Sequence, residues 1–197
     1  MPRTGRGGVT AGGLGWWPRN LDSSFVTPPV LETARLRLRP FASDLSDLAA
    51  MERVLGDATS MRWYPAPFDR EGTRRWIERQ LERYEADGTG LLAIEDGATG
   101  EVIGDCGPSL QEVDGSSLLE LGWHVLRARQ GEGVATEAGA ACRDWVLAEM
   151  EPEFLISLIR PENVASWRVA EKLGFEIWSG TIRAGWGHLV YRLDPLV

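Results

Sequence analysis

Hydrophobic and polar positions follow two periods along the chain, and the shorter period predicts strands. In LETARLRLRPF, Leu36, Leu38 and Phe41 are interleaved with arginines, which is typical of a half-buried strand with one charged face. Three further apolar runs follow, GLLAIED, EVIGDCGPSLQ and LLELGWHVL, and the turns between them contain glycine. This arrangement predicts an antiparallel meander.

The longer period, near that of a helix, predicts four helices around this meander. One is expected over Leu45–Leu55 with Ser43 or Asp44 as its cap, and a second has a natural stop at Gly88. A third is expected over Thr136–Met150. The remaining strands and the fourth helix are expected at Glu153–Arg160, Val164–Leu173, GFEIWSG and HLVYRLD. The order β-α-α-β-β-β-α-β-α-β-β predicts one mixed α/β domain.

The first 28 residues differ from the rest in composition. MPRTGRGGVTAGGLGWWPRN is rich in glycine and has no regular apolar period, so it does not build a core easily. It also lacks the continuous apolar stretch of a secretory signal. We therefore expect a flexible N-terminal extension over residues 1–28 and one folded domain over residues 29–197.

Composition and charge narrow the class of protein. The chain has 197 residues, 43% of them hydrophobic, which suits one soluble domain, and no apolar run reaches the ~18 residues of a membrane span. Cys106 and Cys142 form no disulfide framework, which favours reduced thiols and a cytoplasmic location. The formal net charge is −8. This acidic balance argues against nucleic acid as a partner, and it either favours a cationic substrate or only keeps the protein soluble.

The stretch RQGEGVAT, Arg129–Thr136, lies between a predicted strand and a predicted helix. Its glycines allow several backbone N–H groups to point into one concavity, where the helix N-terminus adds positive potential. Such a turn suits phosphate oxygens, although a tight strand–helix connection without a ligand has the same appearance. The loop lacks the Gly-Lys-Ser/Thr of a Walker A motif, and Thr136 stands where a dinucleotide fingerprint has its third glycine.

Three stretches together resemble one protein family. Gln130–Ala135, QGEGVA, matches Gln/Arg-x-x-Gly-x-Gly/Ala, the pyrophosphate-binding motif of the GNAT acyltransferases, the Gcn5-related N-acetyltransferases. NVASWRVAEKLGF, Asn163–Phe175, resembles the Asn-x-x-Ser…Glu-Lys-Leu-Gly-Phe segment of the same superfamily. LETARLRLRPF resembles the opening strand of the RimJ/RimL-like branch, the ribosomal-protein N-terminal acetyltransferases. The resemblance extends from about Val30 to Leu193.

The resemblance implies a fold and a cofactor. The fold is a single mixed, mostly antiparallel sheet of six to seven strands with about four helices, in which the fourth and fifth strands splay apart. In this family the pantetheine arm of acetyl-CoA lies in that gap and pairs with the edge of the fourth strand. The residues expected to bind acetyl-CoA are Trp123, His124, Val125 and Leu126 on this edge, Gln130, Gly131, Glu132, Gly133, Val134, Ala135 and Thr136 around the pyrophosphate, and Asn163 and Ser166 beyond them. No histidine–carboxylate spacing suggests a metal site.

The implied activity is transfer of an acetyl group from acetyl-CoA to a primary amine. The amine must be neutral to attack, and a nearby carboxylate can take its proton. Glu120 on the fourth strand is the candidate base, and the alternative is that it is an exposed strand residue or an ion-pair partner. Many family members carry a tyrosine acid in the last helix, where this chain has Ala170, so Ser166 is the candidate that protonates the leaving thiolate. Ser166 could instead satisfy backbone amides near Asn163.

The sequence leaves the acceptor amine open. In this superfamily the acceptor groove is formed by the segment between the first two helices and by the last hairpin, here Gly56–Asp69 and Ser179–His188. Arg62 and Arg183 in these segments disfavour a strongly cationic acceptor close by, which weakens the argument from net charge. The sequence therefore leaves four acceptor classes open: a protein N-terminus, a free amino acid or polyamine, and an aminoglycoside. The candidate groove walls are Trp63, Trp76, Trp123, Trp186 and also His124, which is expected to be a wall rather than a catalyst.

A second class of function remains open, a non-catalytic module that binds acyl-CoA as a sensor or interaction partner. The absence of the tyrosine at Ala170 keeps it open, because the Gln130–Ala135 loop is common to both classes. The partner in either case is a small-molecule or peptide amine, or an acyl-CoA, with no nucleic acid and no membrane. A monomer and a homodimer are equally compatible with the sequence.

Overall fold

The computed structural model describes residues 28–195. The expected extension over residues 1–28 therefore lies, except for Pro28, outside the described residues, and the domain boundary stays a prediction. The described strands are β1 Leu31–Glu32, β2 Leu36–Arg39, β3 Leu92–Asp96, β4 Val102–Val113, β5 Ser116–Val125, β6 Leu155–Ile159, β7 Glu176–Arg183 and β8 Trp186–Leu193. The described helices are α1 Leu48–Leu55, α2 Arg70–Ala86, α3 Val134–Glu149 and α4 Val164–Lys172.

All eight described strands belong to one sheet, in the order β1-β2-β3-β4-β5-β6-β8-β7. Neighbouring strands run antiparallel except β5 and β6, which are parallel. The predicted mixed, mostly antiparallel sheet with four helices is confirmed, and its strand count is slightly higher than expected. One extra strand arises because the Thr33 N–H donates to the Leu36 carbonyl at 2.9 Å, which folds β1 back onto β2.

The first helix begins later than predicted. It starts at Leu48 rather than at Leu45, because Leu45 has a φ of 59°, a left-handed conformation that a right-handed helix cannot contain. The predicted cap at Ser43 or Asp44 is wrong, since Asp47 is the residue that precedes the helix. The apolar period located the helix correctly, but its start depends on the backbone turn before it.

The core lies where α1 and α3 pack against the central strands of the sheet. Both cysteines are in this layer: Cys142 on α3 and Cys106 on β4 are fully buried, and both are free thiols. The Cys142 thiol lies 3.5 Å from the Cys106 carbonyl and donates to it. The prediction that Cys142 is a core residue is confirmed. None of the four described helices is long and apolar enough to cross a membrane.

The parallel strands β5 and β6 separate immediately after they meet. Within the described residues, the ladder between them consists of one pair, Glu120 with Ile156. On its other side β5 is paired with β4 along its whole length, from Ser116 to Val125. The edge of β5 beyond Glu120 is therefore left without a strand partner. This is the expected splay, and it falls between β5 and β6 here because the opening strand is split in two.

Candidate active site

Two cavities meet at the opening between β5 and β6. The larger cavity, about 440 Å³, extends toward α2 and the turn of the β7–β8 hairpin. The smaller cavity, about 350 Å³, extends toward the loop before α3 and toward α4. The residues that line both cavities are Trp63, Trp123, His124, Asn163 and Ser166, and we call this set the junction.

The glycine-rich loop forms one wall of the smaller cavity. Gly131 and Gly133 have φ values of 83° and 85°, which favour glycine, and a Cβ at Gly131 would meet no atom within 4 Å. Helix α3 begins at Val134, directly after this turn and two residues before the predicted start at Thr136. The first N–H groups of α3 are therefore presented where they favour an anion.

Most of the predicted cofactor residues come together at this cavity. Those that line it are Trp123, His124, Val125, Gln130, Gly131, Gly133, Val134, Ala135, Thr136, Asn163 and Ser166. Leu126 and Glu132 line neither cavity. Leu126 is buried and its N–H donates to the Ile103 carbonyl at 2.7 Å, while the Glu132 carboxylate accepts from Arg129 Nε at 2.8 Å.

Gln130 fastens the loop to the edge of β5. Its Nε2 donates to the Val125 carbonyl at 3.0 Å and to Ser60 Oγ at 3.1 Å. One backbone acceptor at the end of the β5 edge is thereby already engaged. The side chain thus joins the loop to the end of β5 and to Ser60, which is 70 residues away in sequence, and it holds the loop at the mouth of the splay.

Positive charge dominates the smaller cavity. Its charged lining residues are Arg62, Arg129, Arg168 and Lys172, of which Arg129 also pairs with the carboxylates of Asp96 and Glu132 at 2.8 Å. Within residues 28–195 no carboxylate lines this cavity, and no group of three or more His, Cys, Asp or Glu side chains is placed to hold a metal ion. Helix dipole, backbone N–H groups and basic side chains therefore all favour a phosphate-bearing ligand.

Asn163 and Ser166 are joined by two hydrogen bonds at the junction. Asn163 precedes α4 as its cap, and its Oδ1 accepts from the Ser166 N–H at 3.3 Å. Its Nδ2 donates to Ser166 Oγ at 3.0 Å. The amide that needs a cap is thus satisfied by Asn163, and the Ser166 hydroxyl proton is left to point elsewhere. Ala170, where many family members have a tyrosine, is fully buried in the core.

Glu120 lies at the point where β5 and β6 diverge and lines the larger cavity. One of its oxygens, Oε1, accepts from the Leu158 N–H at 3.2 Å. Burial raises the pKa of Glu120, and the Leu158 bond and the positive charge of Arg183 partly oppose that rise. In the described part of the chain Glu120 has no ion-pair partner, so it is a desolvated carboxylate facing a cavity.

A hydrogen-bonded chain that the sequence analysis missed reaches the same cavity as Glu120. The Asp105 carboxylate is 2.7 Å from His124 Nδ1, and the Tyr64 hydroxyl is 2.7 Å from His124 Nε2. Trp76 Nε1 also donates to Asp105, at 2.7 Å, and Asp105 is fully buried. A carboxylate accepts hydrogen bonds, so the contact with Asp105 favours the His124 tautomer that has its proton on Nδ1, and in that tautomer Nε2 accepts from the Tyr64 hydroxyl.

The sequence contained one signal of this hydrogen-bonded chain. Asp105 is a charged residue in an otherwise apolar strand, and the antiparallel register of β4 and β5 places it directly opposite His124. Tyr64 gave no such signal, because it belongs to the segment between α1 and α2, which has no regular period. Burial raises the pKa of Tyr64, so its hydroxyl stays protonated and able to donate.

Aromatic side chains form much of the wall of the larger cavity. The four tryptophans that were candidate groove walls, Trp63, Trp76, Trp123 and Trp186, all line it. The two segments expected to form the acceptor groove also reach it, through Trp63, Tyr64, Pro65 and Phe68 in one and Arg183, Ala184, Trp186 and His188 in the other. The described segments therefore enclose the cavity at the places that the resemblance implied.

Comparison with known proteins agrees with this architecture. A family model described as "Acetyltransferase (GNAT) domain" matches residues 35–176. The chain therefore belongs to the GNAT acetyltransferase family. It is 35% identical over 153 residues to the uncharacterized protein YkkB of Bacillus subtilis, with 78% of this chain and 88% of that protein covered.

Solved structures share the same fold. An acetyltransferase from Agrobacterium tumefaciens has a TM-score of 0.70 and 31% identity, with 85% of this chain and 95% of that chain covered. A RimL ribosomal L7/L12 α-N-protein acetyltransferase in complex with coenzyme A has a TM-score of 0.67 and 17% identity, with coverages of 84% and 98%. The likeness of the opening strand to the RimJ/RimL-like branch thus extends to the fold of the domain.

Proposed function

We propose that the protein is an N-acetyltransferase that moves the acetyl group of acetyl-CoA to a primary amine by direct attack. The observation that carries this proposal is the meeting of two unlike cavities at one junction. The smaller cavity has the charge and backbone geometry for a phosphate-bearing donor, and the larger one has aromatic walls and a desolvated carboxylate. A thioester delivered from one side would meet an amine delivered from the other.

The donor fits the smaller cavity. We expect the pyrophosphate of acetyl-CoA to bind at the N–H groups of Gly131–Ala135, with Arg168 and Lys172 as counter-charges. The pantetheine arm would then run along the unpaired β5 edge at Trp123 and His124, because Leu126 is turned toward β4. The thioester would reach the junction beside Ser166.

Glu120 is the residue to which we assign the proton of the attacking amine. The nitrogen attacks the thioester carbonyl carbon, the N–C bond forms, the C–S bond breaks, and the amine proton passes to the Glu120 carboxylate directly or through a water. A carboxylate whose pKa is raised by burial holds a proton more strongly than an exposed one, which favours this transfer. The coenzyme A thiolate is the leaving group.

Ser166 is our candidate for stabilising that thiolate. Its Oγ already accepts from Asn163 Nδ2, so its own proton is available for donation toward the sulfur. A water can serve in its place, and a thiolate can also leave unassisted because thiols have only moderately high pKa values. The chain Asp105–His124–Tyr64 has a different task in this scheme, to anchor the segment between α1 and α2 over the larger cavity.

The release of coenzyme A thiol, measured with purified protein and a panel of amines, tests the proposal. Gly133→Asp introduces a carboxylate at the glycine turn and should abolish acetyl-CoA binding in calorimetry and thiol release together. Gly115→Asp is the matched control, because Gly115 has a similar φ of 82° and open space but lies in the β4–β5 turn.

Two results would contradict the proposal in different ways. Failure of the unaltered protein to bind acetyl-CoA would overturn the donor assignment. Tight binding without thiol release for any amine would favour the non-catalytic acyl-CoA-binding module, which the core position of Ala170 keeps as the second candidate.

A further inference from the structure

Most arginines of the described residues are paired with carboxylates. Ten of them have a carboxylate oxygen within 3.2 Å, and these are Arg35, Arg37, Arg39, Arg53, Arg70, Arg74, Arg75, Arg129, Arg143 and Arg192. Such pairing is expected in a chain with a net charge of −8. An arginine without a close carboxylate is therefore the exception within residues 28–195.

Most arginines without a close carboxylate line one of the two cavities. Arg62 and Arg168 line the smaller cavity, where the phosphates of acetyl-CoA account for them. The arginines that line the larger cavity are Arg79, Arg83, Arg160 and Arg183, and Glu120 is its one acidic lining residue within the described chain. Outside the cavities only the exposed Arg127 lacks a close carboxylate in residues 28–195, and Asp57 lies 3.9 Å from it. An acidic protein thus has a positively charged acceptor cavity.

Arg160 has the least satisfied guanidinium group of these arginines. Its guanidinium stacks on the Trp186 ring at 3.8 Å, and its side chain is 18% exposed. Its Nε and Nη1 are buried without a hydrogen-bond partner among the described residues, and its ion pair with the Glu162 carboxylate is long, at 3.5 Å from Nε. Buried guanidinium donors are costly when unsatisfied, so an anionic ligand oxygen would relieve this cost.

Arg83 and Arg183 bond only to neutral side chains in the described chain. Arg183 donates to the Gln111 side-chain oxygen, and Arg83 lies 3.5 Å from that of Gln80. Burial lowers the pKa of Arg83, and the charges of both arginines act on Glu120. The positive groups are therefore close to the carboxylate at which the attacking amine is proposed to arrive.

We propose that the acceptor is an amine that also carries a carboxylate, held by the arginines of the larger cavity while its amine faces Glu120. This inference rests on the proposed acetyl transfer. The planar guanidinium groups can bind a carboxylate bidentately, and the aromatic walls suit an apolar side chain. The same positive field lowers the pKa of the acceptor ammonium and thereby assists its deprotonation. A free amino acid and an acidic peptide N-terminus both present this chemistry.

Calorimetry on the complex with coenzyme A tests the inference without turnover. The ligands are L-phenylalanine with L-phenylalaninamide, the peptide Ser-Asp-Glu with Ser-Asn-Gln (both C-terminally amidated), and spermidine. We expect the carboxylated member of at least one pair to bind about tenfold or more tightly than its amide. A carboxylate preference only in the first pair identifies a free amino acid, and only in the second an acidic peptide. Equal binding within both pairs, tighter spermidine binding, or no binding at all would overturn the inference.

Variants connect that preference to the arginines. Arg183→Gln, at an exposed position, and Arg160→Gln should reduce the acid-to-amide ratio about tenfold while leaving the amide's affinity in place. Arg75→Gln on α2 and Arg192→Gln on β8, which line neither cavity, should leave the ratio unchanged, and a thermal melt shows that each variant is folded. An unchanged ratio in both cavity variants contradicts the assignment. Acetylation of the neutral amides without any carboxylate preference would refute this inference and leave the proposed function standing.

Discussion

The two cavities that meet at the splay are built in different ways. One wall of the smaller cavity, the wall suited to phosphate, is a continuous stretch from Arg129 to Thr136, and α1, the segment after it, β5 and α4 complete the cavity. The larger one is assembled from α2, β4, β5, β6, the β7–β8 hairpin and the segment between α1 and α2. A contiguous site is visible as a motif, whereas an assembled site is visible only when strand register and packing are known. The variants that follow separate the two cavities, from the largest expected effect to the smallest.

Glu120→Gln should separate chemistry from donor binding most strongly. Loss of the general base is expected to lower kcat by about a hundredfold or more, while acetyl-CoA affinity in calorimetry stays the same. Glu112→Gln on β4 is the matched control, since Glu112 is exposed and lines neither cavity. A kcat close to that of the unaltered protein would remove Glu120 from the mechanism.

Glu120→Gln is expected to lower activity but not stability. Burial raises the folded-state pKa of Glu120 above its unfolded value, so the folded state binds the extra proton. The stability contributed by this group is therefore highest below the unfolded pKa and falls as pH rises through the folded pKa. Glu120→Gln should remove that fall, and the free energy of unfolding at neutral pH should be unchanged or higher in denaturant titrations. A marked loss of stability would indicate a structural role instead.

Asp105→Asn should damage the larger cavity and spare the phosphate-suited wall of the smaller one. The substitution disturbs a buried carboxylate that accepts from Trp76 and bonds His124, so we expect about 1–3 kcal/mol less stability and a lower kcat. Acetyl-CoA affinity should change little at a temperature where the variant is folded. Asp114→Asn in the β4–β5 turn, whose carboxylate accepts from Thr181 at the surface, is the control. Equal stability losses in the two variants would argue against the buried chain.

Ser166→Ala tests the junction that both cavities share. If Ser166 protonates the thiolate, kcat should fall about tenfold with little change in acetyl-CoA affinity. Ser116→Ala, at the exposed start of β5, should have no effect. A rate unchanged by Ser166→Ala would assign the proton to water or leave the thiolate unassisted.

Tyr64→Phe should have the smallest effect. It removes one hydroxyl and one hydrogen bond to His124, so we expect about 1 kcal/mol less stability and a few-fold lower kcat/KM for the acceptor. Tyr191→Phe on β8 lies outside both cavities and is the control for loss of a tyrosine hydroxyl. A loss of acetyl-CoA affinity in Tyr64→Phe would show that the cavities are less independent than their construction indicates.

Local features were predictable to different degrees. The meander, the four helices and the splay followed from apolar periods and the family resemblance, but the turn at Thr33 and the left-handed Leu45 moved two element boundaries. Leu126 on the β5 edge and Glu132 within the loop were expected at the cofactor but line neither cavity, because neighbours in a chain can face opposite sides. Tyr64 was missed entirely, since its partner is 60 residues away.

The overall acidity of the chain was the least informative signal about the acceptor. It favoured a cationic substrate or simple solubility, yet the described acceptor cavity contains four arginines and one carboxylate. Net charge sums over the surface, whereas a ligand experiences only the charges within a short distance. An arginine contributes a positive potential only where no carboxylate pairs with it, and tertiary structure decides which arginines are paired.

The sequence by itself determined the family, the order of the elements and the phosphate-suited loop, because glycine conformations and apolar periods act between residues close in the chain. Tertiary structure alone decided that Asp105, His124 and Tyr64 form one hydrogen-bonded chain and that Nε and Nη1 of Arg160 lie buried without a hydrogen-bond partner among the described residues. The physical reason is that hydrogen bonds and ion pairs form between side chains brought together by strand register and packing. These contacts join residues that no local pattern connects.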